Sequence, residues 1–220
     1  MSRVTRTKVC GMTGIDDARA AVEAGADAVG CLVGLDYDAP DRVEPEAART
    51  IFAAMPPFIT RVLVTHRTTV GDVVALARAT GAAAAQLHGD FPLASIPELR
   101  RALPYMGIVK CVHVVDEASI DEALRAAEAA DAVLLDSRTA DRIGGTGRVH
   151  DWSISARIVA RSPKPVILAG GLTPENVREA IERVAPWGVD VNSGVRRPDG
   201  RKSQARIAAF VAAAKSQGIR

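Results

Sequence analysis

The chain has 220 residues and carries 28 basic against 26 acidic side chains, a formal charge of +2. That length supports one large core and is short for two domains, and so even a charge balance argues against a general nucleic-acid binder. No uninterrupted apolar stretch reaches about 18 residues and no basic segment leads into an apolar one, so a soluble cytoplasmic protein with no membrane partner is expected.

In chain order, short apolar segments alternate with alanine-rich stretches of helical period. A strand over 7–10 is followed by a helix over 15–24, 28–33 by 45–54, 59–64 by 69–79, and 83–87 by 93–102. The pattern continues with 107–111 and 117–129, 132–136 and 151–161, 165–169 and 174–185, and 188–192 and 202–215. Strand segments of four to six apolar residues are the length of buried parallel strands, and stripes such as Ala18, Ala21 and Val22 give the helices an inner face. The alanine run at 82–86 has weak strand propensity and is assigned by its place in the alternation. Asp116 precedes one helix, and Thr173-Pro174-Glu175 reads as a cap with proline at the first helical position. Glycines 25, 81 and 188 fall near helix ends or just before strands. Eight strand–helix units in one domain, 1–220, point to an α/β fold, a (β/α)8 TIM barrel, with an open doubly wound sheet as the rival.

In a barrel the loops after the strands share one mouth, and there the polar residues and glycines concentrate. Cys10, in TKVCGMTG, and Asp136, in DAVLLDSR, would both face that mouth, where a thiol and a carboxylate can move protons. Cys31 and Cys111 lie in apolar runs and read as core thiols, whereas Cys10, beside glycine and a turn, reads as exposed. Neither the number nor the spacing of the three cysteines suggests disulfides or zinc, and four scattered histidines argue against a metal cluster. Three glycine-bearing loops follow the sixth, seventh and eighth strands: Gly144-Gly145-Thr146-Gly147, Gly170-Gly171 and Ser193-Gly194. Backbone N–H groups freed by glycine make these a phosphate cradle.

The blocks KVCGMTGIDDARAAVEAGADAVG, QLHGD, LLDS, GGTGRVHDW, LAGGLTPENV and GVDVNSGV resemble the phosphoribosylanthranilate isomerase family over residues 7–212. The resemblance implies a (β/α)8 barrel that carries out an Amadori rearrangement in tryptophan biosynthesis, with no metal and no organic cofactor. It implies Cys10 as general base and Asp136 as general acid, which asks for a lowered thiol pKa and a raised carboxyl pKa. His88 would line the site, and Arg138 and Thr139 would belong to the loop covering the substrate. Asn192 and Ser193 would serve the phosphate by hydrogen bonding, and the partner is a small phosphorylated sugar amine. Oligomeric state, monomer or homodimer, is left open.

Two departures matter. Where the family has a Ser-Pro-Arg-like segment, whose arginine binds the anthranilate carboxylate, this chain reads Ala39-Pro40-Asp41-Arg42-Val43. Matched on the proline, the arginine is Asp41, so either Arg42 takes over or the amine portion has changed; the second reading is favoured. The family's Ser-Ser-Gly-Val-Glu becomes Asn192-Ser193-Gly194-Val195-Arg196, and a lysine–aspartate pair becomes Lys202-Ser203. Competing readings are a silent phosphate-ligand binder and another sugar-phosphate enzyme, an epimerase or an aldolase using Lys110 at the end of the fifth strand.

Overall fold

A computed structural model describes residues 4–137 and 150–216. Eight strands form in chain order: β1 (Arg6–Val9), β2 (Ala28–Leu32), β3 (Thr60–Thr65), β4 (Ala84–Leu87), β5 (Gly107–Val114), β6 (Ala132–Ser137), β7 (Val166–Leu168) and β8 (Gly188–Val191). All neighbours pair in parallel, and β8 returns to β1 with Arg6 opposite Gly188 and Val9 opposite Val191. That last pairing closes the barrel and rules out the open sheet.

Helices α1 (Ile15–Glu23), α2 (Pro45–Ala53), α3 (Val70–Thr80), α4 (Ile96–Ala102), α5 (Ala118–Ala129), α6 (Trp152–Arg161), α7 (Val177–Val184) and α8 (Gln204–Lys215) follow the strands in turn. Period-2 alternation sorts each strand's side chains between two cores. On β1, Val9 faces outward into the layer shared with Ala18 and Ala21 of α1. Its neighbour Cys10 packs inside with Leu32, Val62, Val64 and Ala84, while Cys111, Leu134 and Ala169 fill the opposite side. Each fully buried Leu or Val contributes about 1.5–3 kcal/mol by leaving water, so the alanine-rich helices lean on the strands for stability.

The weak alanine segment is indeed a strand, because both neighbours supply a ladder: Ala84 lies opposite Val62 and Gly107. At the entry to α5, one residue before the N-cap Glu117, Asp116 Oδ1 accepts the Ala118 N–H at 2.9 Å. The start of α7 differs from expectation. Thr173 Oγ1 accepts the Glu175 N–H at 3.2 Å, but residues 174–176 form a turn and the helix begins at Val177. Asn176 explains the delay: its Oδ1 accepts the Thr173 N–H and its Nδ2 donates to the Gly171 carbonyl, tying the segment back to the barrel mouth. Trp152 opens α6 with its ring buried and Arg183 5.4 Å above it. Among the described residues, no helix is long and apolar enough to cross a membrane.

Candidate active site

A cavity of about 630 Å³ opens at the C-terminal ends of the strands and is lined by Cys10, Asp41, His66, His88, Asp136, Gly170, Gly171, Asp190, Asn192, Ser193 and Arg196, among others. Cys10 and Asp136 enter it from β1 and β6, well apart around the ring, so a ligand in the cavity can be reached from two sides.

Cys10 is not the exposed thiol that its glycine neighbour suggested. It is 4% exposed, because the cavity floor packs it against Leu32 and Val62. Burial pushes its pKa up, and the nearby ammonium of Lys8 offsets this only in part. Lys8 stands opposite Asp190 in the β1–β8 ladder, and Lys8 Nζ donates to Asp190 Oδ2 at 2.7 Å with both side chains buried. Burial disfavours the charged ammonium, but Asp190 and Cys10 outweigh it and hold the lysine protonated. Gly30 on β2 makes room for this pair. A Cβ there would stand 2.9 Å from Cys10 Sγ and 3.1 Å from Lys8 Cε.

Asp136 also departs from expectation. Burial alone would raise its carboxyl, yet the bond and charge of His88, with His113 and the Ser137 N–H, hold the pKa below its ordinary value. His88 Nε2 lies 3.4 Å from Asp136 Oδ2, and His113 is the β5 residue directly opposite Asp136. Burial acts against a charged His88, but Cys111, whose Sγ is 4.0 Å away, and Asp136 raise its pKa well above 6.5. The resting site therefore holds a thiol and a carboxylate, the reverse of the protonation expected of a thiolate base and a carboxylic acid.

Three of the four histidines are gathered rather than scattered. His66 stacks on His88 with centroids 5.1 Å apart, His113 meets His88 edge-on at 5.4 Å, and Tyr37 meets His66. Burial and the charge of His88 push His66 down to about 4. His88, Cys111 and His113 bring one ligand atom each within 4.8 Å of one another, a donor set invisible in their spacing along the chain. Lys110 lies in mid-strand, because β5 runs on to Val114. Its Nζ donates to the carbonyls of Gly89 and Cys111, and it lines a separate smaller cavity, which removes the aldolase-type lysine from the main site.

Of the expected phosphate loops, Gly170-Gly171 and Ser193-Gly194 flank the cavity, with Gly170 and Gly171 at positive φ (78° and 68°). The two loops interlock closely: a Cβ on Gly194 would fall onto the Leu172 carbonyl. Arg206 binds them from behind, donating Nε to the Gly194 carbonyl at 3.0 Å and pairing with Glu175 through both Nη atoms. Gly144, Gly145, Thr146, Gly147, Arg138 and Thr139 lie outside the described residues.

Asp41 is buried at the mouth, where its Oδ2 accepts from Asn192 Nδ2 at 2.8 Å and from Arg196 Nη2. Arg42 does not take its place. It is exposed, does not line the cavity, and its N–H closes a turn onto the Ala39 carbonyl. Lys202 is buried beneath, with Nζ donating to the Asn192 carbonyl at 2.9 Å and Asn192 Oδ1 at 2.7 Å; burial pushes it down to about 8. Ser203 caps α8 by accepting the Arg206 N–H. Sequence reasoning missed Lys8 and Asp190 altogether, although their polarity inside apolar strands was a readable signal.

Residues 7–213 match the family model described as N-(5'phosphoribosyl)anthranilate (PRA) isomerase. The chain is 46% identical over 213 residues to the N-(5'-phosphoribosyl)anthranilate isomerase of Haloferax volcanii, covering 97% of this chain and 94% of that protein. It superposes on the crystal structure of phosphoribosyl anthranilate isomerase from Thermotoga maritima with a TM-score of 0.84 and 37% identity, covering 96% and 99% of the two chains. A phosphoribosyl anthranilate isomerase bound to reduced 1-(o-carboxyphenylamino)-1-deoxyribulose 5-phosphate superposes with a TM-score of 0.81 and 36% identity over the same shares.

Proposed function

The chain belongs to the N-(5'-phosphoribosyl)anthranilate isomerase family, and from that premise we propose that it converts N-(5'-phosphoribosyl)anthranilate into 1-(o-carboxyphenylamino)-1-deoxyribulose 5-phosphate. The observation that carries the reading is a thiol and a carboxylate on β1 and β6 lining one cavity, each beside a cation: Lys8 by Cys10, His88 by Asp136.

The chemistry is an aldose–ketose rearrangement. Protonated Asp136 gives its proton to the furanose ring oxygen as the C1'–O bond breaks, and the amine lone pair forms a C=N bond at C1'. Cys10 as thiolate removes the C2' proton, and those electrons form C1'=C2' while the C=N pair returns to nitrogen. The resulting enolamine takes a proton at C1' and loses the one on the C2' hydroxyl, leaving the ketone. No electrons enter or leave, and the proton count is unchanged.

The resting protonation fits this scheme after one proton exchange with solvent. Cys10 releases its proton to solvent, while His88 passes one to Asp136 across the 3.4 Å contact and is reprotonated from solvent, so the working pair forms at the same net charge. Lys8 steadies the thiolate so formed. The phosphate end is assigned to Gly170, Gly171 and Ser193 of the cavity lining, where backbone N–H groups can approach it.

Turnover of N-(5'-phosphoribosyl)anthranilate by the purified protein tests the proposal. Cys10→Ala and Asp136→Asn should each lower kcat by about 10²–10⁴-fold, the usual contribution of a positioned acid or base. Undiminished kcat in either variant removes that residue from the chemistry, and no turnover by the unaltered chain overturns the reading.

A further inference from the structure

The substrate proposed above ends in a carboxylate on its aromatic ring, yet the position where relatives carry an arginine for it is Asp41. Resting on that isomerase reading, we infer that Arg196 binds this carboxylate from the β8 side and that Asp41 positions it. The two departures noted in the sequence are then one exchange of charge between two places. Where the resemblance has an arginine after β2 and a glutamate after β8, this chain has Asp41 and Arg196 in contact.

Three observations support it. Arg196 is the single lysine or arginine among the described residues lining the cavity. Its guanidinium reaches over Asn192 to the β2 loop, where Nη2 donates to Asp41 Oδ2 and to Asn192 Oδ1 at 3.1 Å. It thus stands against Asp41, the position where the family resemblance puts an arginine. Last, the guanidinium is under-used. Nε is buried with no acceptor, and Nη1 donates to none of the described residues.

Nη1 has no acceptor among the described residues, and a carboxylate arriving at it gains a charge-assisted bond. Asp41 does not repel the incoming anion, because its charge is already matched by Arg196 and Lys202 lies just below, bonded to Asn192. Arg196 and Lys202 both stand against Asp41 here, with Asp38 of the same loop also lining the cavity. A lone Asp41 would have turned the same substrate away.

The test compares two amines: N-(5'-phosphoribosyl)anthranilate and N-(5'-phosphoribosyl)aniline, which lacks the carboxylate. In Arg196→Gln the ratio of kcat/KM values, anthranilate over aniline, should fall about 10- to 100-fold, mainly through KM. Asp41→Asn should lower it by less, since the guanidinium remains but loses its anchor. The exchange variant Asp41→Arg with Arg196→Glu should recover the ratio lost in Arg196→Glu alone. Equal losses on both amines in Arg196→Gln would place the guanidinium on the phosphate and overturn the inference. If that variant fails to fold, absence of recovery in the exchange variant overturns it. If the unaltered chain turns over the aniline compound at least as well, carboxylate recognition falls while the isomerase stands; if it turns over neither, the isomerase reading falls first.

Discussion

His88 Nε2 faces Asp136 Oδ2 at 3.4 Å across the barrel mouth, and the contact sets the charge of both groups. The carboxyl is held below 3.8 and the imidazole well above 6.5. The raised histidine contributes stability that is complete below 6.5 and disappears as pH rises through its folded pKa. The depressed aspartate contributes stability that is present above 3.8 and disappears as pH falls through its folded pKa. Both contributions are complete between 3.8 and 6.5, and each is lost only as pH passes its own folded pKa. In Asp136→Asn the His88 titration midpoint, followed by imidazole NMR, should move down from its raised position. A midpoint that stays put would mean that Asp136 does not hold the proton there.

Cys10 should behave as a slow thiol in the free protein. Its pKa is pushed above 9.0 by burial, so alkylation by iodoacetamide should rise with pH to a midpoint beyond that value. Lys8→Met removes the stronger of the two neighbouring cations, Lys8 and Lys202, that favour the thiolate, and the midpoint should climb further. Mass mapping of the labelled cysteine over a pH series reads this directly. Half-maximal labelling below pH 8 would contradict it.

The Lys8–Asp190 pair is buried on both sides, so removing one partner strands the other. Lys8→Met should cost about 3–5 kcal/mol of unfolding free energy in urea, because an uncompensated carboxylate remains inside the barrel. The double change Lys8→Met with Asp190→Leu should recover much of that loss while leaving the enzyme inactive. A single variant as stable as the parent would show that water reaches Asp190 freely.

Gly30 is a position where one methyl group reaches the chemistry. A Cβ there meets Cys10 Sγ at 2.9 Å and Lys8 Cε at 3.1 Å, whereas a Cβ at Gly107 meets only Ala84 Cβ at an ordinary 3.5 Å. Gly30→Ala should cost about 1–3 kcal/mol through overpacking, and kcat should fall more than tenfold as the thiol is displaced. Gly107→Ala serves as the control and should retain kcat. Equal kcat in the two variants would show that the thiol side chain has room to move.

Much of the barrel can be read along the chain because period and length are local properties. Apolar runs of four to six residues separated by helical stripes report eight strand–helix units, and even the alanine run of β4 declares itself by position. Cys10 and Asp136 could be picked out for the same reason: each ends a strand, and strand ends in a barrel share a mouth. The charges of those two groups could not. They depend on Lys8, His88 and His113, whose nearness to them is a matter of side-chain direction across the ring.

What the linear chain determined, then, was the fold and two strand-end groups, Cys10 and Asp136, that share the cavity. Tertiary structure alone decided that Asp41 is paired, since its partner Arg196 stands 155 positions away and reaches it only when β8 closes onto β1. Electrostatic energy depends on separation in space and on the surrounding dielectric, and neither is encoded by spacing along the backbone.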